Sequence, residues 1–198
     1  MKHRLITAAL CVLLCAALTG CETLPYPREL EDTMLVRVLG VDWTAEEVVL
    51  TAASIPEEGE EDEQLLAVRA SDAEESHRKL KEAGEEYVAL THVTQIIVGE
   101  GSDLRGVLEG ALEGREVGQT ATVWLCREGT ALELMEAVEG GARRLTSIEL
   151  NTHGLTAMTV LDALAELERT HQAALPALAA EEGRLEWVGT KLWKEEQR

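Results

Sequence analysis

The residue whose surroundings best define a chemistry is Cys21. It follows Leu18, Thr19 and Gly20 at the end of an apolar run, Ile6 to Leu18, which itself follows the basic Lys2 and Arg4. Modification of a thiol in that setting needs it accessible, next to residues small enough to enter a peptidase groove. The other reactive residue types lack such an arrangement. His77, His92, His153 and His171 are scattered, with no HExxH spacing and no CxxC beside them, so they read as structural histidines rather than zinc ligands. No GxSxG elbow and no evident Ser/His/Asp set occurs. The 37 Asp and Glu residues are so plentiful that the pairing of any two is uninformative. Gly99 to Gly106, GEGSDLRG, stands between a strand and a helix, where a phosphate loop would lie. It has neither GxGxxG nor a GK[ST] ending, and Glu100 and Asp103 would repel phosphate. The acidic run Pro56 to Gln64 lacks the alternating ligands and distal Glu of an EF-hand loop and reads as a solvated loop. No catalytic residue, metal site or cofactor is expected.

The apolar run before Cys21 is short of the roughly 20 residues that cross a bilayer core. With its basic start and small-residue exit it reads as a secretory signal. Leu18-Thr19-Gly20-Cys21 is similar to a bacterial lipobox. In proteins of that kind the cysteine receives diacylglycerol and the chain is cut before it. Two acyl chains anchor stably, at about 0.8 kcal/mol per buried CH₂. The expected organisation is a lipoprotein signal peptide over 1–20, a tether over 21–33 containing two prolines, and a domain over 34–198.

Loss of Lys2 and Arg4 takes the formal charge from −19 to −21, with 16 basic residues against 37 acidic ones. Such a charge repels nucleic acid and anionic headgroups, so lipid rather than a basic patch must supply membrane attachment. Phe is absent and aromatics are 3% of the chain, so the core must be aliphatic. Cys11 and Cys15 leave with the signal and Cys21 carries lipid, so Cys126 is left without an intrachain disulfide partner. Its apolar neighbours mark it as a small buried residue.

The elements that position these residues can be traced in order. MLVRVLGVDW (Met34 to Trp43) and EVVLTAAS (Glu47 to Ser54) are rich in β-formers and close enough for a hairpin. LLAVRA (Leu65 to Ala70) is a third strand. Ser71 with Glu74 has capping-box spacing before a helix that Gly84 stops. VTQIIVGE (Val93 to Glu100) reads as a buried strand, with His92 at its start. Ser102 to Gly114 reads as a helix with Leu104, Val107, Leu108, Ala111 and Leu112 on one face. Gly106 and Gly110 lie opposite Leu104 and Leu108, as tolerated surface glycines or a flat face for a partner helix. Gln119 to Cys126 reads as a strand and Thr130 to Gly140 as a helix. A polar stretch then separates it from a helix beginning near Thr156, with Ala157, Val160, Leu161, Leu164 and Leu167 on one stripe. Arg184 to Trp193 reads as an edge strand or hairpin. Strands first, then strands alternating with helices, predict an α+β fold in which a mixed β-sheet carries packed helices.

PRELEDTMLVRVLGVDW resembles the opening of the Ger(x)C family, the lipoprotein (C) subunits of GerA-type spore germinant receptors. Arg28, Glu29, Leu30, Asp32, Val36, Gly40 and Asp42 fit its "REL-D…V…G-x-D" pattern. Tyr87 to Glu100 is similar to the family segment in which a histidine leads into an "IIIGE" strand, with Gly99 and Glu100 at its end. Gly129, Ala131, Glu133 and Glu136 lie in a stretch similar to its following helix. TVLDALAEL (Thr159 to Leu167) and WVGTKLW (Trp187 to Trp193) resemble its "TLLDFL" helix and "G-x-A-x-F-K" strand. Full-length members continue into two further domains, so the resemblance is to an N-terminal domain alone. It implies partners in the polytopic A and B receptor subunits, a place at the inner spore membrane through diacylglyceryl-Cys21, and no enzymatic activity. The expected function is therefore a non-catalytic lipoprotein subunit or accessory factor of a nutrient germinant receptor. The alternative is a lipid-anchored envelope solute-binding module, and a lipoprotein hydrolase would further need a nucleophile–base pair.

Overall fold

The computed structural model describes residues 33–54, 64–84, 87–113, 117–138, 140–151 and 157–195. Cys21, Arg28, Glu29, Leu30 and Asp32 lie outside them, as do the acidic run before Gln64 and His153. The expected α+β architecture, a mixed sheet with helices packed on it, is the one observed. Eight strands build the sheet: β1 (Thr33–Trp43), β2 (Val48–Ser54), β3 (Leu65–Ala70), β4 (Tyr87–Ala89), β5 (Gln95–Val98), β6 (Thr122–Cys126), β7 (Gln172–Glu181) and β8 (Arg184–Lys194). They run in the order β3-β2-β1-β5-β6-β7-β8, with β4 pairing to β1. β1, β5, β6 and β7 are mutually parallel, while β1–β2, β2–β3 and β7–β8 are antiparallel. β4 and β5 both run along the same strand, β1, joined by a 3₁₀ turn over Leu90–His92.

Among the described residues five helices accompany them: α1 (Ala73–Ala83), α2 (Leu104–Glu113), α3 (Ala131–Glu136), α4 (Gly141–Asn151) and α5 (Val160–Thr170). The buried apolar residues fall into two clusters, one per sheet face. Leu80 of α1, Leu104 and Leu108 of α2, and Val160 and Leu167 of α5 pack with Leu39, Val41, Ile96 and Val98. Leu134 of α3 and Leu145 of α4 pack with Val38, Ile97, Trp124 and Cys126 on the other face. Strand alternation makes this sorting automatic, because successive side chains point to opposite faces. In β1 the alternation changes phase. Val36 packs with the first cluster and so does Leu39, because a register shift between Val36 and Val38 inserts Arg37. A bulge of this kind turns every later residue over, and it sends Gly40 and Asp42 toward α3.

Several expected details change. The N-cap of α1 is Asp72, whose carboxylate accepts from Glu75 N–H at 2.8 Å, not Ser71. The strand expected over Val93 to Glu100 covers only Gln95–Val98, leaving Gly99 and Glu100 in the turn beyond it. The polar stretch after Gly140 contains helix α4, whose Ala142, Leu145 and Ile148 are buried. Residues 172–181, assigned to no element by pattern, form the interior strand β7. Leu161, placed on the apolar stripe of α5, is 52% exposed, and Ala163 takes the inward position. Gly106 and Gly110 are neither open surface nor a partner face, because the Trp43 indole lies against both. Cys126 is free and buried, as its neighbours implied.

Candidate functional site at the C-terminal edge of the parallel strands

In open sheets with parallel strands, ligands bind outside the carboxyl ends of those strands. Here the ends of β1, β5 and β6 bring together Asp42, the turn Gly99 to Asp103 and the start of α3. Gly40, Asp42 and Gly99, from two separate stretches of the family resemblance, meet at this edge.

Asp42 projects from β1 and is 6% exposed. Its carboxylate accepts from Ala131 N–H at 2.6 Å and from Leu132 N–H at 3.2 Å. These are the first two residues of α3. The third, Glu133, gives its N–H to Thr130 Oγ1 at 3.1 Å, and the Glu133 carboxylate takes Thr130 N–H at 3.0 Å. A helix start leaves backbone donors without intrahelical partners. At α3 those of Ala131, Leu132 and Glu133 are all taken by the chain's own acceptors, through a capping box and a strand carboxylate 89 residues away.

The glycines make room for this. A Cβ on Gly99 would stand 1.8 Å from Asp42 Oδ1 and 3.2 Å from Ala131 N. A Cβ on Gly40 would meet Met135 Sδ at 2.7 Å and Ala131 Cβ at 3.2 Å. Gly99 thus admits the carboxylate and Gly40 admits α3. Gly99 N–H also continues the ladder to Val41 O at 3.0 Å. The turn beyond is pinned by buried Ser102, whose Oγ accepts from Trp43 N–H at 3.1 Å, and by Asp103 N–H to Trp43 O at 2.8 Å. Glu100 points outward. Lys191 Nζ on β8 donates to Glu100 Oε1 at 2.6 Å and to Arg127 O at 2.7 Å, tying the loops after β5 and β6 to the edge strand.

The electrostatics follow from these contacts. Burial raises the Asp42 carboxyl above its ordinary value, with the Ala131 and Leu132 N–H groups pulling it back and the Glu133 charge adding to the rise. The Lys191 ammonium holds Glu100 below the usual carboxylate range. The N–H and hydroxyl of Thr130 do the same for Glu133. Cys126 lies on the strand behind the site, and burial together with the Asp42 charge pushes its thiol up to about 12. Such a thiol is neither a nucleophile nor a metal ligand at neutral pH.

The site therefore holds a carboxylate that positions a helix rather than a reacting group. Among the described residues no group of His, Cys, Asp and Glu could hold a metal ion, and no helix is long and apolar enough to cross a membrane. A cleft between α1 and α2, floored by Leu39, Val41, Leu50 and Ile96, leaves room for about 20 Å³. A wider one of about 310 Å³ lies where Leu65 and Leu66 face Ala83 and Gly84. Ser102 or Asp103 was expected as the cap of α2: Asp103 Oδ1 does accept from Gly106 N–H at 3.1 Å, while Ser102 Oγ serves Trp43 instead. Thr130 and Lys191 were not singled out by sequence. The T-x-x-E spacing of Thr130 and Glu133 was the available signal for the first.

No protein-family model and no curated protein matches the chain. Among solved structures it is similar to one titled "Crystal Structure of the GerBC protein", at 14% sequence identity and a TM-score of 0.40. The likeness covers 79% of this chain and 48% of that one, so the chain spans about half the length of the structure it matches.

Proposed function

We propose that this chain is a non-catalytic lipoprotein, held to a membrane by diacylglyceryl-Cys21, that serves as a scaffolding subunit or accessory factor of a nutrient germinant receptor in a spore-forming bacterium. Its partners on this reading are the polytopic A and B subunits at the inner spore membrane. The acyl chains raise the local concentration of an acidic domain beside those partners without any new contact.

The observation that carries the reading is the convergence of Gly40, Asp42 and Gly99. These positions were picked out by resemblance in two stretches of sequence, and they share one task, the seating of α3 on the sheet. The same seating argues against chemistry at this edge, because the donors that would receive an anionic ligand already hold Asp42 and Thr130. A solute-binding module draws less support. Such a site needs a few hundred Å³ with convergent polar groups, and among the described residues the wider cleft is lined by one polar side chain, Gln64.

The test is made on native spore membranes. Intact protein should carry a diacylglyceryl mass on an amino-terminal Cys21 and co-purify with multi-spanning receptor subunits, and Cys21→Ala should move it to the soluble fraction. An unacylated amino terminus, or unchanged fractionation of the variant, refutes the anchor. A purified lipoprotein without multi-spanning partners refutes the receptor role.

A further inference from the structure

We propose that α3 and α4 form a cover that lifts from the sheet as one unit, while α1, α2 and α5 stay packed on the opposite face. The two faces are chemically unlike. Toward α1, α2 and α5 the central strands present Leu39, Val41, Leu50, Ile96, Val98 and Val123, all apolar and buried. Toward α3 and α4, alternation turns in Asp42, Thr51, Gln95 and Thr122, all buried. Of the buried polar residues on the interior strands, all but Ser54, which pairs with Val36 at the end of β2 on the opposite face, are thus gathered under one pair of helices.

Burial of these groups is not free. Thr51 Oγ1 is enclosed without a hydrogen-bond partner, and an unsatisfied buried hydroxyl weakens the state that encloses it. Asp42 keeps a carboxylate under the cover, tied to it through Ala131 and Leu132. Trp124 Nε1–H needs Gln95 Oε1, at 2.5 Å, to be satisfied there. Lifting the cover hydrates Thr51 and Asp42 together. The cover is built to move as a piece: α3 has six residues, far too few to stand alone, and its Leu134 and Met135 share one apolar cluster with Ala142, Leu145 and Ile148 of α4. Regions of this kind open with their own free energy, below that of global unfolding. What opening uncovers is the apolar strip of Ile97, Trp124 and Cys126.

Cys126 reports the event, because it is the one cysteine after Cys21 and its buried thiol is unreactive while the cover is closed. The full chain is exposed to N-ethylmaleimide at neutral pH, Cys126 modification is followed by peptide mass spectrometry, and amide exchange of α3, α4, β1 and β5 is measured alongside. Cys126 labelling and α3–α4 exchange should occur together, depend weakly on denaturant, and run well ahead of β1 and β5 exchange. Two variants separate the cover from the rest. Ile96→Val, on the opposite face, should speed global unfolding by about two- to ten-fold and leave Cys126 labelling unchanged. Thr51→Val, which removes the hydroxyl, should slow labelling by about ten-fold. If Cys126 and α3–α4 respond only at the rate and denaturant dependence of β1 and β5, or if Ile96→Val speeds labelling as much as unfolding, the cover does not exist.

Discussion

An alanine at position 99 adds a single carbon to the most crowded point of the fold. That carbon would stand 1.8 Å from Asp42 Oδ1 and 3.0 Å from its Cγ, so the carboxylate must leave. Gly99 has no positive φ to lose, which confines the effect to sterics. The displaced carboxylate gives up two backbone donors, Ala131 N–H and Leu132 N–H. Hydrogen bonds to charged groups contribute about 1.5–3 kcal/mol each, so Gly99→Ala should cost about 3–5 kcal/mol after relaxation. With a urea slope of about 2 kcal/mol/M, the unfolding midpoint should fall by about 1.5–2.5 M. The decisive measurement is the double-mutant cycle with Asp42→Ala. With the carboxylate already gone, the nearest remaining neighbour of the new methyl is Ala131 N at 3.2 Å, so most of the cost should vanish and the coupling should exceed about 2 kcal/mol. An unchanged midpoint for Gly99→Ala, or the same loss in both backgrounds, would show that Gly99 does not serve Asp42.

Other perturbations test neighbouring parts of the same account. Thr51→Val should raise stability by about 1–3 kcal/mol in equilibrium denaturation, since it exchanges an unsatisfied buried hydroxyl for a methyl of similar size. On α5, Leu167→Ala should cost about 2–5 kcal/mol, whereas Leu161→Lys, at a position 52% exposed, should stay within about 0.5 kcal/mol; thermal melts that rank them the other way would contradict the orientation of that helix. The pH dependence carries opposite signs at two carboxylates. Glu75, held to about 2 by the N–H and hydroxyl of Ser71, contributes stability present above its ordinary 4.5 and lost as pH falls toward 2. Asp42 has a raised folded value, so its contribution falls as pH rises from 3.8 through that value, and Asp42→Asn should remove this part of the stability–pH curve.

The legible parts of the fold were those with a strong local period. β1, β2 and β3 announce themselves through β-branched and aliphatic runs, and α2 through Leu104, Val107, Leu108 and Ala111 on one face. β7 did not, because QAALPALAAE is alanine-rich and contains Pro176. A strand buried on both faces needs no alternation, and Pro176 sits beside a register shift where a missing N–H is tolerated. α4 hid behind Arg143 and Arg144, although Ala142, Leu145 and Ile148 keep a three-residue spacing. At the site, Gly40, Asp42, Gly99 and Glu100 were nameable, but their tasks were not. Asp42 bonds residues 89 and 90 positions away, and Lys191 reaches Glu100 across 91. Such pairings depend on strand order, which no local window contains.

Asp42 also occupies the anion position that a fold with parallel strands offers at its usual ligand edge. A helix start at the end of a parallel strand attracts anions through its free N–H groups and its dipole. A phosphate or carboxylate from solution would compete for the N–H groups of Ala131, Leu132 and Glu133. Here β1 supplies a carboxylate of its own, and the phase change at Arg37 is what aims it. Without that inserted residue Asp42 would face the opposite side of the sheet, among Leu39, Val41, Ile96 and Val98, and α3 would start with two bare donors. Bulge, carboxylate and glycine therefore form one device: the bulge directs Asp42, Gly99 gives it room, and the helix it caps closes the edge. Deleting Arg37 should disrupt this device more than removal of any single hydrogen bond, because every residue of β1 on one side of the deletion would have to change faces.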